Sequence, residues 1–195
     1  MAAEVWYLAY GSNLLPEKLA RYLGDADSRA ARPQRTLTIP RRLYFAGMSM
    51  RWTGGVAFID RYDDPAQVTH VRAYRVTGAE FAALFAGENV SGATLPDDLA
   101  ALGIEPGGHA VIPMPGDEID GEYASVSGKY SVVARLADLD GLPCYTITTA
   151  RNLARRAPDP AYVRVILAGL DGIIDGEPAR AYLDRAITNS ARGTA

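Results

Sequence analysis

The 195-residue chain is long enough to bury a core of its own, and 48% hydrophobic with 22% charged residues is the balance of a globular protein, which argues against a disordered or membrane-spanning one. A net charge of −3 and a pI near 5.4 supply no general field for a polyanion, so nucleic-acid binding would need a local basic patch. A single cysteine, Cys144, leaves no internal disulfide and suits a reducing compartment.

In chain order, Val5 to Tyr10 is a strand-favouring run that stops at Gly11-Ser12-Asn13. Pro16 opens a short helix, because a first-turn proline lacks only an N–H that would be unpaired there. Arginines then crowd together (Arg29, Arg32, Arg35, Arg41, Arg42); with no binding motif beside them they read as solvated faces and ion pairs. Period-2 patterning predicts strands at Thr36 to Ala46, Gly55 to Asp60 and His70 to Val76, and helical spacing predicts a helix over Ala79 to Ala86. From about residue 90 to 128 Gly, Pro and Asp dominate, which predicts an extended loop excursion with little regular structure. Strands return at Tyr130 to Leu136 and Pro143 to Thr149, followed by a second basic cluster (Arg151, Arg155, Arg156) and helices over Ala161 to Leu170 and Pro178 to Thr188.

Strands gathered early and long helices late favour α+β over βαβ alternation. The expectation is one domain over residues 1–195, a closed or strongly curved sheet flanked by helices. The opening MAAEVWYLAYG has neither a basic n-region nor a long apolar h-region, and no apolar run reaches about 18 residues, so a cytoplasmic protein without a membrane span is expected.

Most catalytic chemistries lack their residues here. His70 and His109 are the only histidines, and neither Cys-x-x-Cys nor His-Glu-x-x-His occurs, so neither a metal site nor a cofactor is expected. His70 sits in a strand pattern, facing solvent or a core partner. No Gly-x-Ser-x-Gly elbow and no glycine-rich phosphate loop is present. Cys144 has no basic neighbour to activate it and reads as a small buried residue. The acidic group Asp117, Glu118, Asp120 and Glu122 does not follow the ligand order of a calcium loop.

The strand end at Tyr10-Gly11-Ser12-Asn13 is different. A strand that breaks into a glycine turn before a helix exposes backbone N–H groups in a concavity suited to a carboxylate or an oxyanion. Gly11 permits close approach, Ser12 and Asn13 offer polar side chains, and Tyr7 and Tyr10 offer aromatic wall with a polar tip. The same residues also fit a plain junction in which Ser12 or Asn13 caps the helix.

The segment YLAYGSNL resembles the signature of the γ-glutamylcyclotransferase family, whose members convert a γ-glutamyl amide to 5-oxoproline and a free amine. The likeness continues in order through WTGGVAFI (Trp52 to Ile59), VRAYRV (Val71 to Val76), AEFAALFAGENV, GKYSVVARL, LPCYTITT and PDPAYVRVILAGL, from about residue 5 to 185. The resemblance implies a small mixed β-barrel with flanking helices, the YGSN turn at the mouth of a pocket and one glutamate opposite. Glu88 in LFAGENV matches that glutamate; Glu80 is the competing position, near a helix N-terminus where any acidic residue is stabilised by the dipole. Unlike the family pattern, Gly87 and Asn89 flank Glu88 where a further glutamate would stand nearby.

In that reaction the substrate's own α-amine attacks its γ-carbonyl, so the protein need not supply a nucleophile. It must fold the glutamyl chain, move a proton from one nitrogen to the other and stabilise the oxyanion. Glu88 would serve as general acid and base, in apolar surroundings such as Leu84, Phe85 and Val90 that disfavour its charged form. Gly11, Ser12, Asn13 and Leu14 would bind through their amides, and Tyr7, Tyr10, Tyr130 and Tyr145 would line the pocket. The implied partner is a small γ-glutamyl substrate, with no nucleic acid and no membrane; the leaving amine and the oligomeric state stay open. Two other readings remain: a non-catalytic carboxylate-binding module of the same fold, and an arginine-surfaced nucleic-acid adaptor.

Overall fold

Strand β1 (Glu4–Ala9) is buried at every residue after Glu4 because it lies in the middle of a sheet. The computed structural model describes residues 3–23, 32–49, 51–89, 92–114, 128–174 and 176–191; Arg29, Val90, Asp117, Glu118, Asp120 and Glu122 lie outside them. On one side β1 pairs antiparallel with β5 (Thr69–Thr77), and on the other it pairs parallel with β8 (Leu142–Thr148). A strand covered on both faces reads as a continuous apolar run, which is what VWYLA is. Among the described residues the sheet has six strands, in the order β2-β5-β1-β8-β7-β6, with β2 at Gln34–Ile39, β6 at His109–Val111 and β7 at Val132–Leu139.

The run from Thr36 to Ala46 is two strands, not one. Pro40 has no N–H for a ladder, and the chain turns there from β2 into β3 (Leu43–Ala46), which pairs with β4 (Val56–Ile59) as a separate ribbon. Arg41 in the turn is fully buried, its Nε on Asp63 at 2.8 Å and its carbonyl accepting from Thr69 Oγ1 at 2.5 Å. Side chains tie the ribbon to the sheet. Thr148 Oγ1, at the end of β8, donates to the Ile59 carbonyl at 2.5 Å and accepts from the Ile59 amide at 3.3 Å. The result is a mixed α+β fold.

The excursion after residue 90 holds two short regular pieces. Among its described residues, Leu99–Leu102 forms a 3₁₀ turn and His109–Val111 forms edge strand β6, in register with Val132 to Ala134 of β7. Three residues carry too little alternation to stand out in sequence.

Among the described residues four helices flank the sheet: α1 (Pro16–Leu19), α2 (Gly78–Asn89), α3 (Pro160–Leu170) and α4 (Glu177–Ala191). Asp159 caps α3 by accepting from the Ala161 amide at 2.6 Å, with Pro160 in the first turn. In α4, Ser190 Oγ accepts from the Phe45 amide at 2.8 Å, fastening that helix to the ribbon, and Tyr182 meets the His70 ring edge-on at 5.0 Å. No helix among the described residues is long and apolar enough to cross a membrane.

Helix α2 starts where β5 stops, with no loop between them. The Thr77 amide donates to Glu80 Oε2 at 2.8 Å and the Glu80 amide to Thr77 Oγ1 at 3.2 Å, a reciprocal cap. Burial alone would raise the Glu80 carboxyl, but hydrogen bonds from Arg32 and from Thr77 outweigh it and hold it below the usual range.

A carboxyl held below its unfolded value stabilises the fold fully above about pH 4.3 and loses that contribution as pH falls through the folded value. The difference in urea midpoint between wild type and Glu80→Gln is therefore expected at about pH 6 and should close as the pH drops below about 4; a constant gap would refute it. At Gly169 in α3, a Cβ would lie 2.5 Å from Leu14 Cβ and 2.7 Å from the Leu14 and Leu15 backbone. Helix propensity favours alanine there by about 1 kcal/mol, yet the clash should make Gly169→Ala net destabilising by about 1–3 kcal/mol in denaturant unfolding.

Candidate functional site

The turn after β1 is shaped by bonds to its carbonyls. Arg72 Nε donates to the Leu14 carbonyl at 3.0 Å, and the Tyr74 hydroxyl lies 3.0 Å from the carbonyls of both Asn13 and Leu14. The same Arg72 reaches the carbonyls of Gly169 and Asp171 at 3.1 Å, at the end of α3. Ser12–Leu14 is a 3₁₀ turn whose preceding residue is Gly11, and no side chain caps it. Nor does a side chain cap α1. Asn13 points elsewhere: its Nδ2 donates to Glu88 Oε1 at 2.9 Å and lies 3.2 Å from the Tyr7 hydroxyl.

Glu88, in the last turn of α2, therefore faces the amino-terminal turn across a narrow cleft. Tyr7, Tyr10, Gly11, Ser12 and Asn13 line it from the β1 side, with Glu88, Tyr130 and Ile147 completing the wall. About 260 Å³ of empty space, part of it open to solvent, lies among these residues, and the Asn13–Glu88 bond lies beside it.

Two of the residues expected in the site stand outside it. Leu14 is buried against Gly169, and its amide donates to the Gly11 carbonyl at 3.0 Å inside the turn. Tyr145 is a core residue: β8 is in register with β1 at Tyr7, and its ring packs 6.0 Å from Phe81 beneath α2. Glu80 is held at the opposite end of α2 by Arg32 and Thr77.

The surroundings of Glu88 also differ from the aliphatic pocket expected. Leu84 and Phe85 point into the core, and the carboxylate instead meets Asn13 and the Tyr22 hydroxyl. Tyr22 reaches it because Gly87 has no side chain: a Cβ there would lie 2.6 Å from the Tyr22 ring. Asn89 has a structural task. Wholly buried, it accepts from the Tyr130 amide at 2.8 Å and donates to the carbonyls of Phe85 and Tyr130 at 3.1 Å, stapling the end of α2 to the approach of β7. Lys129 Nζ donates to the Glu88 carbonyl at 2.8 Å, and burial lowers its ammonium pKa against the opposing pull of the Glu88 charge.

Burial first, and the Glu88 charge second, push the Tyr7 and Tyr22 hydroxyls above the ordinary phenol value. Burial does the same to Tyr10 and Tyr130. These hydroxyls stay protonated at neutral pH and are hydrogen-bond donors. Tyr10 donates to the Ile147 carbonyl at 2.6 Å, and Tyr130 to the Ala57 carbonyl at 3.3 Å. Tyr162, on the Pro-x-x-Tyr helix, brings its hydroxyl to the Ala57 amide at 3.3 Å and to Ser12.

Sequence reasoning missed Tyr22 and Lys129. The interior glycine of α2 was a signal for the first, since a helical glycine often marks close approach; Lys129 carried none. Arginines of the first basic cluster are distributed among ion pairs: Arg32 with Glu80, Arg35 with Asp140, Arg41 with Asp63 and Arg42 with Asp60. Arg155 of the second cluster stacks 3.5 Å from the Tyr44 ring centre.

No family model matches the chain. It is 27% identical over 214 residues to histone deacetylase 5 of Arabidopsis thaliana, covering 95% of this chain but only 31% of that protein. Among solved structures, a γ-glutamyl cyclotransferase superposes with a TM-score of 0.56 at 18% identity, over 94% of this chain and 88% of that one. An uncharacterised human protein matches equally, with a TM-score of 0.56 at 19% identity and the same coverage. YkqA from Bacillus subtilis gives 0.51 at 16% identity, over 94% of this chain and 54% of its own. At such identities the likeness speaks to architecture, and the chain has the mixed α+β fold of a γ-glutamyl cyclotransferase.

Proposed function

We propose that the protein cyclises a γ-glutamyl amide to 5-oxoproline and releases an amine. The observation that carries this reading is the 2.9 Å contact between Glu88 Oε1 and Asn13 Nδ2, which sets a mid-chain carboxylate against the YGSN turn inside one cleft.

The substrate's α-nitrogen attacks its γ-carbonyl carbon, closing a five-membered ring while the carbonyl π electrons move onto oxygen. Collapse of that oxyanion expels the amide nitrogen. Glu88 takes the proton from the attacking nitrogen and returns it to the departing one, so one carboxylate serves both steps and ends as it began. Neither water nor an oxidant is consumed. Protonated tyrosine hydroxyls and the amides of the turn are the donors available to the oxyanion. The substrate's nucleophile is tethered, so holding the chain bent supplies much of the acceleration.

In an assay of 5-oxoproline release from a panel of γ-glutamyl amides, Glu88→Gln should lower kcat/KM by about 10²- to 10⁴-fold with an unchanged thermal melt. Full activity in that variant would remove Glu88 from the mechanism. Asn13→Ala takes one charge-assisted hydrogen bond from the carboxylate and should cost on the order of 10- to 100-fold in kcat/KM; an unchanged rate would show that Asn13 does not position the acid.

A further inference from the structure

Beside the cleft stands a group of cations that the proton transfers do not use. Lys18 lies in α1, Arg21 follows one turn later, and Arg51 comes from the loop between β3 and β4. Lys18 Nζ is 5.4 Å and the Arg51 guanidinium carbon 5.3 Å from the centre of the Trp52 ring. Among the described residues none of the three has an acidic partner, although Glu17 is their neighbour in the chain. Burial, and then the charges of Arg21 and Arg51, depress the Lys18 ammonium pKa. Like charges held together repel one another, and an anion set among them relieves that repulsion.

The group borders the cleft at two points. The charges of Arg51 and Arg21 act on the Tyr22 hydroxyl, which itself meets Glu88. Trp52 lies 5.2 Å from the ring of Tyr162, whose hydroxyl is 3.1 Å from where a Gly11 Cβ would be. A γ-glutamyl amide held in the cleft leaves its other half outside it, and these cations are the charged groups beside Tyr22 and Trp52 that this half would meet. One carboxylate there would leave most of the local charge unanswered.

We propose that this cationic rim receives the leaving group, and that it selects one carrying two or more negative charges, an acidic amino acid or acidic peptide, over a neutral or cationic amine. The proposal rests on the cyclotransferase reading of the cleft.

Three substrates test it: γ-glutamylethylamide, γ-glutamylalanine and γ-glutamylglutamate, whose leaving groups bear no, one and two carboxylates. At low salt kcat/KM should rise on the order of tenfold over the series, and the ranking should flatten in about 1 M salt, where the screening length falls to about 3 Å. In a Lys18→Gln/Arg51→Gln double variant the ratio of γ-glutamylglutamate to γ-glutamylethylamide should fall to near unity, while Lys18→Arg/Arg51→Lys keeps it. A flat ranking in wild type, or the wild-type ratio in the neutral variant, overturns the proposal. Calorimetric binding of the same compounds to Glu88→Gln reads the rim without turnover: tightening with each carboxylate supports it, and equal or unmeasurable binding overturns it. If wild type releases 5-oxoproline from none of the three, the cyclotransferase reading fails by itself, and the binding order still decides the rim.

Discussion

Two side chains of β5 hold the YGSN turn by its carbonyls. Arg72 and Tyr74 stand two residues apart on one face of the strand, opposite Ala9 and Tyr7 of β1, and reach past the strand end to the oxygens of Asn13 and Leu14. A turn whose oxygens are occupied on one side has a defined orientation, and Asn13 projects its side chain into the cleft. Arg72 also ties in the last carbonyls of α3, so that helix is fixed against the same turn. The strand that clamps the turn then runs straight into α2, which carries Glu88. Both sides of the cleft are thus placed by β5.

The polar groups at the cleft form a connected set. Asn13 touches Glu88 and Tyr7, Tyr22 touches Glu88, and Lys129 holds the Glu88 carbonyl. Such a set in partly buried surroundings is favourable only when its members satisfy one another. The donors to the carboxylate are the Tyr22 phenol, which burial keeps neutral, and the neutral Asn13 amide; the Lys129 ammonium stands on the Glu88 carbonyl, and Lys18 and Arg51 lie over Trp52.

Much of this was legible in the sequence. The central strand announced itself as an unbroken apolar run, β5 by alternation, and α3 by Asp159-Pro160 followed by helical spacing. Asn13 of the YGSN turn and Glu88, 75 residues apart, line one cleft. Other features had no local signature. Pro40 split a run that looked continuous, β6 is three residues long, and Leu14 looked like part of the amide cup although its amide closes the turn. Tyr145 alternates correctly for a pocket residue, but the neighbour it meets, Phe81, belongs to another element. Gly87 and Asn89, departures from the family pattern, became intelligible only with their partners Tyr22 and Tyr130 in view.

Because α2 begins without a loop and ends at a buried asparagine staple, it acts as a gauge of fixed length between the sheet and the acid. Each added helical residue rotates the downstream part of the helix by about 100° and advances it about 1.5 Å. One residue gained or lost between Gly78 and Glu88 would swing the carboxylate onto another face, whereas the same change in a surface connection would be absorbed locally. Length variation among functional descendants of this chain is therefore expected to spare that interval, even where its individual side chains drift.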